Sequence, residues 1–268
     1  MAFSPSDISN MELWLKADTG VYSDNGSTPA TDTDAVYRWD DQSGNNRDVV
    51  QATEADRPTY NTSEYETLPA IAFSKSDKDW LRFAGADPAD IISQPITFFV
   101  VAEHASTPSG TSQYTLGGSA DSNRINVGGA YNNNWHLGAG TNLRGGSVDT
   151  DIHIFSYLAK GASSYLYIDG DSELSGNAGT GSWQLITIGG GKYSPPGSPF
   201  DGNVCEVIMY SAELSSGDRG QVEQYLGEKW LGWVASSNIK SWNGLAKASI
   251  KSINGLAIAS IKNINGLT

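Results

Sequence analysis

Apolar and polar residues alternate over short runs along most of this chain. Met11 to Lys16 puts Leu13 and Leu15 on one face and Trp14 on the other, the period of a half-buried strand. Ala35 to Trp39 and Arg47 to Gln51 read as further strands. Pro69 to Ser74 and Trp80 to Ala84 read as a hairpin joined by Lys75 to Asp79. Ile96 to Glu103, ITFFVVAE, is apolar almost throughout, which predicts a strand covered on both faces. Tyr114 to Gly117, Ile125 to Gly128, Trp135 to Gly138, His153 to Tyr157, Ser164 to Ile168, Leu185 to Ile188 and Asn203 to Tyr210 continue the pattern. Asp169-Gly170-Asp171 is a tight-hairpin signal, because such a turn needs positive φ and glycine has no Cβ to clash. A single segment has helical spacing: Ser216 to Trp230, with Ser215 or Ser216 as N-cap and Val222, Tyr225, Leu226 and Trp230 on one face. Roughly thirteen short strands with regular turns and one helix predict an all-β fold of two packed antiparallel sheets.

Certain stretches carry a resemblance. YLYIDG, a strand ending in IGGG, and PFDGNVCEVIMYSAELSSGDRGQVEQYLGEKW resemble the second half of a concanavalin A-like lectin/glucanase domain of the laminin-G-like group. LWLKADTGV from Leu13, WDDQSGNNRDVVQAT from Trp39 and LPAIAFSKSDKDWLRF from Leu68 resemble its opening strands. The resemblance covers about Ser9 to Trp233 and implies a jelly-roll sandwich with one short C-terminal helix. That fold hosts lectins, hydrolases, adhesion modules and structural domains, so it leaves function open. The expected division is a sandwich over 1–234 and a separate tail over 235–268.

Charge narrows the partners. A formal net charge of −13 argues against nucleic acid, whose phosphates demand Lys and Arg. The single cysteine, Cys205, cannot form an internal disulfide, and its setting NVCEVIMY reads as a small buried hydrophobe on a strand. MAFSPSDISNMELWLKA has neither a basic n-region nor a long apolar h-region, so no secretory signal is expected. No run reaches the ~20 apolar residues of a membrane helix.

Catalytic machinery is not evident. Glycosidases of this superfamily carry carboxylates at alternate positions of one strand. The nearest pairs, Glu64 with Glu66 and Asp149 with Asp151, fall in polar segments that read as loops. His104, His136 and His153 lack metal-type spacing. The chain is therefore expected not to be an enzyme. Asp40, Asp41 and Asn45 could ligate calcium through clustered oxygen donors, although turns favour the same residues and the turn reading is preferred; no other cofactor is expected. For sugar recognition the best stretch is Tyr131-Asn132-Asn133-Asn134-Trp135, two aromatics flanking three amides; Lys192 to Pro196, with Tyr193, is a second candidate loop.

The tail differs in kind. NIKSWNGLAKA, SIKSINGLAIA and SIKNINGLT are two full copies and one truncated copy of an eleven-residue repeat. The recurrent Asn-Gly would break a helix and asks instead for a β-turn between short strands. One unit cannot bury Ile239, Trp242, Ile250, Ile253, Leu256, Ile258, Ile261 or Ile264 alone, so the repeats are expected to stack on a partner. With this tail, of the kind seen in phage structural proteins, the chain is expected to be a bacteriophage virion surface protein: a capsid decoration protein, head fibre or tail adhesin. The tail would hold it to other virion proteins or form a homo-oligomer, a trimer for instance, with host surface glycans as ligand. The alternative is a bacterial surface or secreted carbohydrate-binding module.

Overall fold

Asp169 and Gly170 take φ of 52° and 86°, the paired positive angles of the turn that matches strand twist. Around that turn lies one of two antiparallel sheets. The computed structural model describes residues 3–65, 67–83, 91–118, 125–130, 132–184, 186–191 and 197–233, together with four two-residue strands within 241–257. Strands are numbered in chain order. The eight-stranded sheet holds β1 (Met11–Lys16), β5 (Thr59–Tyr65), β6 (Leu68–Phe73), β8 (Ile96–His104), β13 (His153–Ala159), β14 (Ser164–Ile168), β15 (Asp171–Gly176) and β17 (Gly202–Tyr210). Its order is β15-β14-β13-β8-β17-β6-β5. Gly202–Val204 of β17 pairs with β6, and Glu206–Tyr210 pairs with β1 along the same edge.

The nine-stranded sheet holds β2 (Val21–Tyr22), β3 (Arg38–Trp39), β4 (Val49–Val50), β7 (Leu81–Phe83), β9 (Gln113–Gly117), β10 (Ile125–Ala130), β11 (Asn134–Ala139), β12 (Asn142–Gly145) and β16 (Thr187–Ile188). Its order is β12-β11-β10-β9-β16-β7-β4-β3-β2. The two sheets enclose one core that includes Leu13, Leu15, Trp39, Phe98, Tyr157 and Trp183. Within it Phe98 stacks on Tyr157 at 5.0 Å and meets the edge of Trp183 at 5.1 Å. The all-β sandwich with one helix is thus the fold that the alternation predicts.

Two elements depart from expectation. β6 and β7 do not form a hairpin: β6 lies in the eight-stranded sheet and β7 in the nine-stranded one. The intervening loop turns back through Asp79, whose buried carboxylate accepts the Ser74 amide at 2.8 Å. Thr59–Tyr65 is a strand rather than a loop, but an edge strand that is at most half-buried, so it has no apolar face to reveal it.

The helix α1 (Ser216–Trp230) is capped by Ser215, whose Oγ accepts the Asp218 amide at 3.1 Å. It buries Val222, Leu226 and Trp230 over the outer face of the eight-stranded sheet. A fully buried carboxylate fixes it there. Glu206 of β17 accepts from Trp14 Nε1 at 2.6 Å, Trp230 Nε1 at 2.8 Å and Lys229 Nζ at 2.8 Å. Strand β1, strand β17 and α1 therefore meet on one side chain, which satisfies the rule that a buried charge needs partners.

Beyond the sandwich, Ser241–Trp242 pairs with Leu245–Ala246, and Ser252–Ile253 pairs with Leu256–Ala257. Each pair flanks one Asn-Gly of the repeat, and Ile239, Ile250, Ile258, Ile261 and Ile264 lie outside the described residues.

Candidate functional site

The strand registers of the nine-stranded sheet align one residue per strand across its whole width. The row runs Asn142, Gly138, Asn126, Gly117, Thr187, Arg82, Val50, Arg38, Tyr22. The neighbouring positions Leu137, Val127, Leu116, Ile188 and Leu81 form the core row. Side chains alternate between faces along a strand, so the first row points away from the core.

A second outward set lies beside it: Arg144, His136, Gly128 and Tyr114. The Tyr114 and His136 rings stack at 5.2 Å, and His136 Nε2 shares a hydrogen bond with Asn142 Oδ1 at 2.9 Å. Arg82 Nε donates to Thr187 Oγ1 at 2.9 Å while its guanidinium lies 4.6 Å from the Trp80 ring. Asn142, Arg38, Arg82, Arg144 and the Tyr22 and Tyr114 rings keep accessible surface on this outer side, whereas Asn126, Thr187 and His136 are buried. Glycine lets neighbouring groups approach closely here. At Gly128, with φ of +133°, a Cβ would lie 2.5 Å from the Gln113 carbonyl oxygen, so no side chain fits.

Residues singled out from the sequence fall elsewhere. Trp135 is 3% exposed and cannot offer a ring face to a sugar; it sits against Phe155 at 4.8 Å and His104 at 5.4 Å. The reason is alternation: Trp135 occupies a core-facing position of β11, and its neighbour His136 takes the opposite one, where it too is buried, against Tyr114. The amides beside it serve the hairpin. Asn132 Nδ2 donates to Asn134 Oδ1, and Asn134 Nδ2 to the Gly146 carbonyl, both at 2.6 Å. Tyr131 and Tyr193 lie outside the described residues.

The calcium candidates are a turn. Asp41 accepts from the Trp14, Ser43 and Arg47 amides and from Ser43 Oγ at 2.7–3.1 Å. Asp40 pairs with Arg38 at 2.6 Å, and Asn45 directs its Nδ2 at the Met11 and Glu12 carbonyls. Their polar atoms diverge onto separate protein partners rather than converging on one point. Among the described residues, no group of three or more His, Cys, Asp or Glu side chains could hold a metal.

Other clusters were hidden by sequence distance. His153, half-buried, meets Asp169 through Nδ1 at 2.7 Å and Asp149 through Nε2 at 2.9 Å. The Asp169 hydrogen bond above all, and then the one to Asp149, outweighs desolvation and pushes its pKa up to about 9. His104, also touching Trp135, is buried and pushed down to about 4 by desolvation. On β5, β8 and β17, Asn203 Nδ2 lies 3.1 Å from Glu64 and 3.5 Å from Glu103, and Tyr65 donates a short hydrogen bond to Glu103. Carboxylates more than thirty positions apart in sequence thus converge across strands, which a search for alternate positions on one strand cannot find.

No protein-family model matches the chain, and no curated protein matches it. Solved structures do. One is Trypanosoma rangeli sialidase in complex with 2-keto-3-deoxy-D-glycero-D-galacto-2,3-difluoro-nononic acid: 16% identity, TM-score 0.54, covering 83% of this chain and 33% of that one. Another is domain 4 of AbnA, a GH43 extracellular arabinanase from Geobacillus stearothermophilus, in complex with arabinotriose: 15% identity, TM-score 0.54, covering 80% of this chain and 98% of that one. The chain therefore spans about a third of the sialidase's length. These likenesses are of fold. They nonetheless correct the expectation that the chain is not an enzyme: the fold forms part of glycosidases, so missing sequence motifs do not exclude it from glycoside chemistry. What this chain shares with a sialidase and an arabinanase domain is the β-sandwich.

Proposed function

We propose that this chain is a glycan-recognition protein and that the outer face of the nine-stranded sheet receives the sugar. The observation that carries the reading is the accessible part of that face, Asn142, Arg82, Arg38 and Tyr22 of the row with Tyr114 and Arg144 beside it. Small-molecule sites combine aromatic surface with a few placed polar groups. A sugar asks for a ring to stack on and for groups that bond its hydroxyls, and this face supplies both. The likeness in fold to proteins solved with carbohydrate ligands supports the ligand class.

The setting we propose is the surface of a bacteriophage particle, as a capsid decoration protein, head fibre or tail adhesin. The repeats of 235–268 would bind other virion proteins or further copies of the chain. Support comes from the eleven-residue period and from the two-residue strand pairs in its first two copies, since such small hairpins do not hold alone in water. A second reading, a bacterial surface or secreted carbohydrate-binding module, is favoured by the match to nearly the whole of an arabinanase domain.

A glycan array followed by calorimetry on the best hit tests the site. Tyr114→Ala and Asn142→Ala are expected to weaken binding at least about tenfold, or 1.4 kcal/mol, with the fold retained; unchanged affinity in both sinks the assignment. Light scattering of the full chain against one ending at Val234 tests the setting. An oligomer that becomes a monomer favours the virion reading, and two monomers favour the module.

A further inference from the structure

The eight-stranded sheet also has an outer face, and α1 covers only part of it. Tyr165 and Tyr167 alternate on β14 with the fully buried core residue Leu166, so both rings point away from the core, beside the helix. Between them and α1 lies a cleft of about 200 Å³. Its floor includes Ser156 of β13, paired in register with Tyr167. Ser156 is 1% exposed and its hydroxyl lines the cleft, within reach of the Glu223 carboxylate of α1. A carboxylate only accepts, so the lone pairs of the hydroxyl oxygen stay open to a donor.

The walls are built for a small, uncharged ring. Tyr167 is held from above by the Arg219 guanidinium, 3.6 Å from its ring centroid, and Arg219 Nε lies 3.1 Å from Glu223. Tyr165, tilted 54° to Tyr167 at 6.0 Å, is only half-buried and has no cation over its ring among the described contacts. At the rim Glu213 pairs with Lys160 at 2.5 Å, both about two-fifths exposed, and exposed pairs of this kind contribute little on their own. The Glu213 carboxylate is thus placed to accept hydrogen bonds from the hydroxyls of a ligand. The volume is below the ~300–1,000 Å³ that holds a drug-sized molecule and suits a single ring.

We infer that the cleft between α1 and β14 is a second carbohydrate subsite, which takes one neutral sugar ring stacked on Tyr165 with its hydroxyls on Glu213 and Ser156. The ligand class rests on the glycan-recognition reading, whereas the cleft itself is independent of the nine-stranded sheet. Neutrality follows from charge. Both cations at the cleft already face carboxylates, and a chain of net charge −13 repels anions over distance.

The test is backbone NMR of the full chain titrated with galactose, N-acetylglucosamine, arabinotriose and, as the anionic control, N-acetylneuraminic acid. Amide signals of Ser156, Tyr165 and Arg219 are expected to shift saturably with at least one neutral sugar and not with the acid. Tyr165→Ala is expected to weaken that titration at least about tenfold while shifts near Tyr114 and His136 stay as they were. Tyr165→Phe, which keeps the ring and its packing, is expected to retain most of the affinity. Shifts confined to Tyr114 and His136 overturn the second subsite and leave the first. Shifts confined to the cleft leave this inference standing and overturn the other assignment. No response to any sugar overturns both, and equal response to the acid overturns the neutral-ring claim.

Discussion

Glu206→Ala should be among the most damaging single substitutions in the sandwich. The native carboxylate is fully buried and accepts two indole N–H groups and one ammonium. Truncation leaves Trp14 Nε1 and Trp230 Nε1 without acceptors and Lys229 with only Asp18, 2.9 Å away. Removing one partner from a buried ionic site costs about 3–5 kcal/mol. Lys229 keeps Asp18 and some water, which places the loss at about 4 kcal/mol. For a domain of this size each kcal/mol lowers Tm by roughly 2–4 °C, so the midpoint should fall by about 8–16 °C. Glu206→Gln keeps an acceptor oxygen and should lose less than half as much. Urea denaturation followed by tryptophan fluorescence measures both, since the two indoles report the site directly. If the Ala variant lies within about 1 kcal/mol of the wild type, the three hydrogen bonds do not anchor α1 as argued.

Trp135→Ala should cost about 3–5 kcal/mol through cavity formation, seen as a lower denaturation midpoint; loss of sugar binding at unchanged stability would instead place the ring in a site. His153 has a folded pKa of about 9 against 6.5 unfolded, so its contribution is complete below pH 6.5 and disappears as pH rises through 9. The total is up to about 3 kcal/mol, and His153→Gln should flatten that limb of the stability profile measured by denaturation. His104 has the opposite sign: with a folded pKa of about 4, stability should fall as pH drops from 6.5 to 4, and a His104→Gln variant should lose that acid limb. Gly128→Ala forces a Cβ to 2.5 Å from a carbonyl oxygen at φ of +133°; it should destabilise by more than about 1 kcal/mol and weaken glycan binding together with stability.

Elements whose pattern is local were legible in the sequence. The helix over Ser216–Trp230 follows from a serine cap and a helical period, and the Asp169-Gly170 turn from the φ it needs. Strands with no apolar face were not. Thr59–Tyr65 and Asn142–Gly145 are at most half-buried along their length, so periodicity has nothing to mark. The candidate site was the least legible part, because its row takes one residue from each of nine strands, and only strand order brings Asn142 and Tyr22 onto one face. Trp135 was misjudged because its amide-rich flank resembles a binding loop, whereas one step of register turns the indole inward and His136 outward.

Ionisable groups divide this molecule into seams and faces. Glu206 closes the seam between helix and sheet, His153 lies between the Asp169 hairpin and the Trp135 strand, and Asp41 ties its turn to β1. At each of these places the charge is met by donors or acceptors from a segment distant in sequence, so it contributes to a single arrangement of the chain. The outer faces are held differently. Tyr165 stands half-buried, the Ser156 oxygen keeps its lone pairs open beside Glu223, and the Glu213 carboxylate pairs with an exposed lysine. Their present contacts are weak enough to be exchanged for those of a ligand without undoing a seam. Substitutions at seams should therefore move stability first, and substitutions at the faces should move binding first.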